Sequence, residues 1–181
     1  MVSPPTPDDA PAIATLHTQN WQAVYRGTMT DQYLDLEAPS ERLRVWTDRF
    51  ALPKTNMQTA VAEKDDGALV AFVCVFPNHS DKDGHLLDNL HVHSDFRGKG
   101  LGKKMMHYAA RWLLNTGHHG QLFLWLLTSK SAAIGFYKKL GGRLGRTENH
   151  TFHGDPTLEA KMMPWELTKT AAGPDLGWPF F

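Results

Sequence analysis

The stretch that most constrains this chain runs from Asp88 to Tyr108. A short apolar segment leads into Arg97-Gly98-Lys99-Gly100-Leu101-Gly102-Lys103, and an amphipathic helical pattern follows. Glycines at alternate positions let the backbone approach a ligand closely, at the point where a helix begins and its first N–H groups have no helical acceptor. Such an end is electropositive and draws anions, and the local arginine and lysines strengthen that field. The stretch therefore reads as a strand, a phosphate cradle and a helix in succession.

Two other glycine loops also set phosphate at the start of a helix, and both fail here. A dinucleotide fingerprint, G-x-G-x-x-G, needs glycine at Lys103 if it starts at Gly98, or at Met105 if it starts at Gly100. A P-loop ending at Gly102-Lys103 needs glycine at Arg97 and a hydroxyl at Lys104.

The pattern that does fit is R/Q-x-x-G-x-G/A, read as Arg97 to Gly102. Downstream, Ser129 to Gly141 fits N-x-x-A-x-x-F-Y-x-x-x-G at Ala133, Phe136, Tyr137 and Gly141, with Lys130 where asparagine is usual. With Ala12-Ile13-Ala14, Trp21 and Tyr25-Arg26-Gly27 upstream, the chain resembles the GCN5-related N-acetyltransferases (GNAT) over nearly its whole length. The resemblance implies an α/β fold, a central and mostly antiparallel mixed sheet flanked by helices, and acetyl-coenzyme A as cosubstrate. Carried over by position, the coenzyme is bound by Leu90, Val92, Arg97, Gly98, Lys99, Gly100, Gly102, Lys103, Lys130 and Tyr137. The family's usual carboxylate positions correspond to Leu86 and Trp125, and neither takes a proton.

Composition adds limits. At 41% hydrophobic and 21% charged, 181 residues suit one globular domain, expected over residues 1–167 with an aromatic tail over 168–181. Lys plus Arg, 19, equals Asp plus Glu, 19, so no global field favours nucleic acid or an anionic membrane. A lone cysteine, Cys74, has no partner for an internal disulfide, and neither a membrane span nor a signal sequence is evident, so a cytoplasmic protein is expected. Ten histidines are present, but their spacing completes no familiar metal set, and no metal is expected.

Periodicity predicts a helix from Asp8 or Asp9 through Ile13, Leu16 and Val24, and another within Tyr33 to Phe50 capped at Ser40. Strands are predicted at Met57–Glu63 and Ala68–Phe76 around a turn at Asp65-Asp66-Gly67, and at Leu86–Val92 and Leu122–Leu127. Pro77 to Gly84 reads as flexible. The cradle helix shows one face of Leu101, Met105, Tyr108, Ala109, Trp112 and Leu113, and a further helix covers Ala132 to Leu140. Last come strands near Gly142–Glu148 and Thr157–Met163, with His150–Pro156 between them.

Transfer of an acetyl group to an amine needs a proton acceptor, a donor for the carbonyl oxygen and an acid for the departing thiolate. The resemblance implies Tyr137 as the acid and main-chain N–H of the cofactor strand as the donor. Asp88 is the carboxylate left on that strand as a provisional base, and regular alternation sets it on the face of Leu86, Leu90 and Val92, with His91 and His93 opposite unless a bulge intervenes. Trp21, Tyr25 and Tyr33 are candidate walls for an amine of a small molecule or peptide, or simply packing. A homodimer is compatible with the family, and a cofactor-binding sensor that has lost its chemistry is the rival reading.

Overall fold

The computed structural model describes residues 1–51, 56–150 and 158–171. Its strands are β1 (Val2–Ser3), β2 (Gln58–Glu63), β3 (Leu69–Ser80), β4 (Gly84–Val92), β5 (Gln121–Leu127), β6 (Thr147–His150) and β7 (Leu158–Glu166). They form one sheet in the order β1-β2-β3-β4-β5-β7-β6. Neighbours are antiparallel except β4 and β5, which are parallel. Helices α1 (Ala10–Tyr25) and α2 (Ala38–Ala51) pack on one face. Helices α3 (Leu101–Asn115), α4 (Ser131–Lys139) and α5 (Leu167–Ala171) pack on the other. This is the mixed, mostly antiparallel and helix-flanked sheet that the sequence implied.

The apolar run of β3 is continuous because both its faces are covered. Ala71, Val73 and Val75 join the core beneath α3, while Phe72 and Cys74 join Ile13, Leu16 and Trp46 beneath α1 and α2. The α3 stripe behaves as predicted. Met105, Ala109 and Leu113 are buried, and Leu101, Tyr108 and Trp112 pack at its margin. Val24, expected on the inner face of α1, is instead exposed at 38%.

Several boundaries differ from expectation for identifiable reasons. The second helix is not capped at Ser40, whose hydroxyl donates to Glu37 O at 3.0 Å inside a continuing helix. A wide π-type turn at Tyr33–Glu37 precedes it, at the point where Pro39 has no N–H for the regular ladder. Pro77 to Ser80 is not flexible but prolongs β3, and the following turn is held by polar bonds. Asn78 N–H donates to His85 Nδ1 at 2.9 Å, and Arg146 clasps both oxygens of Asp83 at 2.7 and 2.8 Å.

The strand expected at Gly142–Glu148 begins only at Thr147. Before it, Arg143 and Gly145 still donate to Pro164 O and Met162 O of β7, at 3.1 and 2.8 Å. β7 itself runs on to Glu166, and α5 follows with Leu167 buried. Of the predicted turn at His150–Pro156, His150 instead ends β6 and 151–156 lie outside the described residues; of the tail expected over 168–181, residues 168–171 belong to α5 and the rest lie outside the described residues. Among the described residues no helix is long and apolar enough to cross a membrane.

β4 and β5 approach most closely at the start of β4. Gly84 adopts φ +85°, and a Cβ placed there would stand 2.3 Å from the Gln121 carbonyl oxygen. Gly84→Ala is therefore expected to separate the two strands at their base and to destabilise the fold by at least about 1–3 kcal/mol. Thermal unfolding of the variant checks this: the melting temperature should fall by several degrees, and an unchanged one contradicts it.

Candidate active site

β4 and β5 pair only at His85 with Leu122 and Leu86 with Phe123. From there β4 stays with β3 as far as Val92, and β5 stays with β7 as far as Leu127. The two strands therefore part, and a cleft opens between them toward their C-terminal ends. Past Val92 the chain turns through Ser94–Phe96 and enters α3 by way of Gly98 and Gly100, at φ +74° and +83°.

The N-terminus of α3 is built for an anion. Gly100 caps it with no side-chain hydrogen bond, and the first main-chain bond is from Lys104 N–H to Gly100 O at 3.1 Å. The N–H groups of Leu101, Gly102 and Lys103 thus have no helical acceptor. A Cβ at Gly98 or Gly100 would meet nothing within 4 Å, so these residues are glycine for their backbone conformation, beside open space. Gly102 serves packing instead. A Cβ there would come within 3.3 Å of Phe136 and 3.7 Å of Val92, so its absence seats α3 against both. Lys99 and Lys103 are exposed, and Leu90 and Val92 are half-buried against the α3 core.

Two predicted cofactor residues are engaged elsewhere. The guanidinium of Arg97 donates to Val92 O at 3.1 Å and to the Asn20 side-chain oxygen, and so locks the end of β4 to α1. Lys130 donates to Val24 O at 2.6 Å and Thr28 Oγ1 at 3.1 Å, with its ammonium 5.4 Å from the Tyr25 ring centre.

Asp88 sits at a β-bulge. The register passes from Cys74 opposite Asn89 to Val75 opposite Leu87, which leaves Asp88 without a partner on β3. The extra residue corrects the expected alternation. Asp88 joins the α2 side, where it pairs with Arg49 at 2.8 Å and accepts from the Asn89 amide, while Leu90 and Val92 pack on the α3 side. His91 is therefore on the α1 side as well, stacked on Phe72 at 5.0 Å and 4.5 Å from His17.

Burial holds both imidazoles neutral, with His91 pushed down to about 3 and His17 well below its ordinary value. The nearby charge of Arg42 acts in the same direction on each. Trp46 donates its indole N–H to His17 Nδ1 at 3.1 Å, so the proton of His17 resides on Nε2.

Tyr137 is 8% exposed, stacked on Trp165 at 5.8 Å and set edge-on to Phe136 at 5.0 Å. Burial first, and proximity to Tyr25 second, raise its phenol well above the ordinary tyrosine value, so it keeps its proton across the working range. Cys74 is fully buried within the α1 side of β3.

The aromatic trio between the first two helices forms a small core of its own with Met29, Leu34 and Ala38. Tyr33 is buried, and its hydroxyl donates to Glu41 at 2.7 Å. The Trp21 face carries the guanidinium of Arg42 at 4.5 Å. Burial raises the Tyr25 phenol above its ordinary value. Among the described residues no cluster of three or more histidine, cysteine or acidic side chains could hold a metal.

Sequence reasoning overlooked Asn20 and Arg49. Neither carries a local signal, because each is defined by a bond to a distant strand, to Val92 and Asp88.

The sheet is thus split between two parallel neighbours, with a glycine-rich helix start that has no side-chain cap at the open end. Residues 19–142 match the acetyltransferase (GNAT) family, and the chain belongs to it. No curated protein matches the sequence.

Among solved structures the fold is similar to the PaiA N-acetyltransferase from Thermoplasma acidophilum in complex with coenzyme A. Identity is 14% over 92% of this chain and 98% of that one, with a TM-score of 0.73. It is also similar to YncA from Salmonella typhimurium with its cofactor acetyl-CoA, at 20% identity over 97% and 98% of the two chains and a TM-score of 0.65. A third is the ribosomal-protein-alanine N-acetyltransferase from Brucella melitensis, at 18% identity, 92% and 99% coverage and a TM-score of 0.65. At these identities the likeness concerns the fold.

The two neutral histidines give a stability prediction. Their folded pKa values lie below the unfolded value of about 6.5, so the unfolded chain binds protons first on acidification. Stability should be complete above about pH 6.5 and fall progressively as pH drops toward His91's value of about 3. Urea unfolding across that range checks it, with His91→Gln expected to flatten the slope; an equal slope in the variant contradicts the assignment.

Proposed function

We propose that the protein moves an acetyl group from acetyl-coenzyme A to a primary amine of a small molecule or peptide, by direct attack with both substrates bound. The observation that carries this reading is the free N-terminus of α3, standing at the open end of the β4/β5 cleft with Tyr137 buried in the adjoining core. The PaiA and YncA structures, which hold coenzyme A and acetyl-CoA on the same fold, support acetyl-CoA as the donor.

In this reading the main-chain N–H groups from Gly98 to Lys103 hold the diphosphate, with Lys99 and Lys103 adding charge at the rim. Arg97 contributes by fixing the end of β4 rather than by reaching for phosphate. The pantetheine arm lies along Leu90 and Val92 on the edge of β4 that β5 has left unpaired. An amine with a pKa of about 10 is protonated at neutral pH and must lose a proton before it attacks. Asp88, on the side of the sheet that α1 and α2 cover, accepts that proton through water. A main-chain N–H released by the bulge donates to the carbonyl oxygen, and Tyr137 protonates the departing thiolate.

Direct transfer is favoured over a cysteine-linked route. Cys74 is fully buried and faces α1 and α2, while the cofactor-strand residues Leu90 and Val92 face α3.

Two substitutions separate the roles. Tyr137→Phe and Asp88→Asn should each lower turnover by about a hundredfold or more while leaving acetyl-CoA affinity nearly unchanged. A thiol-release assay with a panel of amines, run beside an acetyl-CoA titration, reads both quantities; a full rate at saturating substrate for Tyr137→Phe removes that residue from the chemistry.

The pH profile gives an independent check. Because Tyr137 stays protonated, kcat should rise as the amine deprotonates and show no alkaline fall below about pH 10, the ordinary tyrosine range. A falling limb near pH 8 contradicts a buried phenol as the acid.

A further inference from the structure

Helix α1 lies across the open end of the cleft and is fastened at two points. On the β4 side, Asn20 donates its amide to Val92 O at 3.3 Å, and Arg97 completes the bond to the Asn20 oxygen. On the β5 side, Lys130, in the turn between β5 and α4, donates to Val24 O and Thr28 Oγ1. Asn20 and Val24 are one helical turn apart, a rise of about 6 Å, so consecutive turns of one helix bind the ends of two strands that do not pair with each other.

The chemistry of the second fastening is specific. Val24 O is among the last carbonyls of α1, which have no helical donor and form the negative end of the helix dipole. A cation satisfies both needs at once. The same ammonium stands beneath the Tyr25 ring at 5.4 Å, a cation–π contact. Lysine also matters by its length. An asparagine at this position, usual in the family the chain resembles, ends two bonds sooner.

We infer that Lys130 is a positioning residue, which straps the C-terminal turn of α1 over the cleft and thereby fixes Tyr25 on the acceptor side. This inference rests on the proposed transfer reaction for its kinetic consequence. The strap itself can be read without any turnover.

The test uses the full chain with Lys130→Met, Lys130→Asn and Lys130→Arg, and two readouts. The first is hydrogen exchange at the Thr28 and Met29 amides, both of which donate to Tyr25 O, at 2.8 and 2.9 Å. The Met and Asn variants should lose protection there while amides of α3 and β3 keep theirs, and the Arg variant should restore it. The second is steady-state kinetics. KM for the amine should rise about tenfold in the Met and Asn variants, the loss expected for one charge-assisted hydrogen bond, with KM for acetyl-CoA within about twofold of the parent.

Unchanged exchange at Thr28 and Met29 overturns the strap, as does a general loss of protection, which makes Lys130 a determinant of the whole fold. A rise confined to the KM for acetyl-CoA overturns it too, because Lys130 is then a cofactor contact. Should the parent protein acetylate no amine in the panel, the transfer reading fails, and the exchange measurement alone still decides the strap.

Discussion

Everything at the site follows from two strands that begin as neighbours and then stop pairing. A buried main chain must bond its N–H and C=O groups somewhere, so a sheet that opens between β4 and β5 creates groups in need of partners along the opening. The molecule answers at the end of β4 with side chains: Val92 O takes two donors, from Asn20 and Arg97. At its base the pairing is kept tight by the absence of a side chain at Gly84. Between those points the edge of β4 is unpaired by β5, and the start of α3, with no side-chain cap, stands at its far end.

The same opening divides the protein into two chemically different faces. On the α3 side the wall is apolar, with Leu90, Val92, Phe136 and Tyr137. On the α1 and α2 side it is polar and compensated, since Asp88 is matched by Arg49, and His17 and His91 are held neutral by burial. The bulge at Asp88 is the device that shifts the strand from one pattern to the other, because it moves a carboxylate and an imidazole onto the same face.

What could be read in advance was local. The glycine turn and the α3 stripe each depend on residues within a turn or two of one another, and each took the expected form. The family's second motif was legible for the same reason. The bulge was not, because it is a property of how β3 and β4 register. Nor were the ties made by Asn20 and Lys130, which reach 72 and 106 residues along the chain. Lys130 stood out as a departure from the family pattern, but only the fold brings it to the carbonyl of Val24. The ordered turn after Pro77 escaped notice because it is held by ion pairs and a histidine rather than by apolar residues, so a polar composition concealed a fixed structure.

The central claim is that the first amides of α3 bind the diphosphate of coenzyme A, and amide-resolved NMR tests it most directly. Titration with coenzyme A should shift the Gly98 to Lys103 resonances, whereas pantetheine, which lacks the diphosphate, should leave them in place. If coenzyme A binds and those amides do not move, the cradle lies elsewhere and the account built on the β4/β5 cleft is wrong.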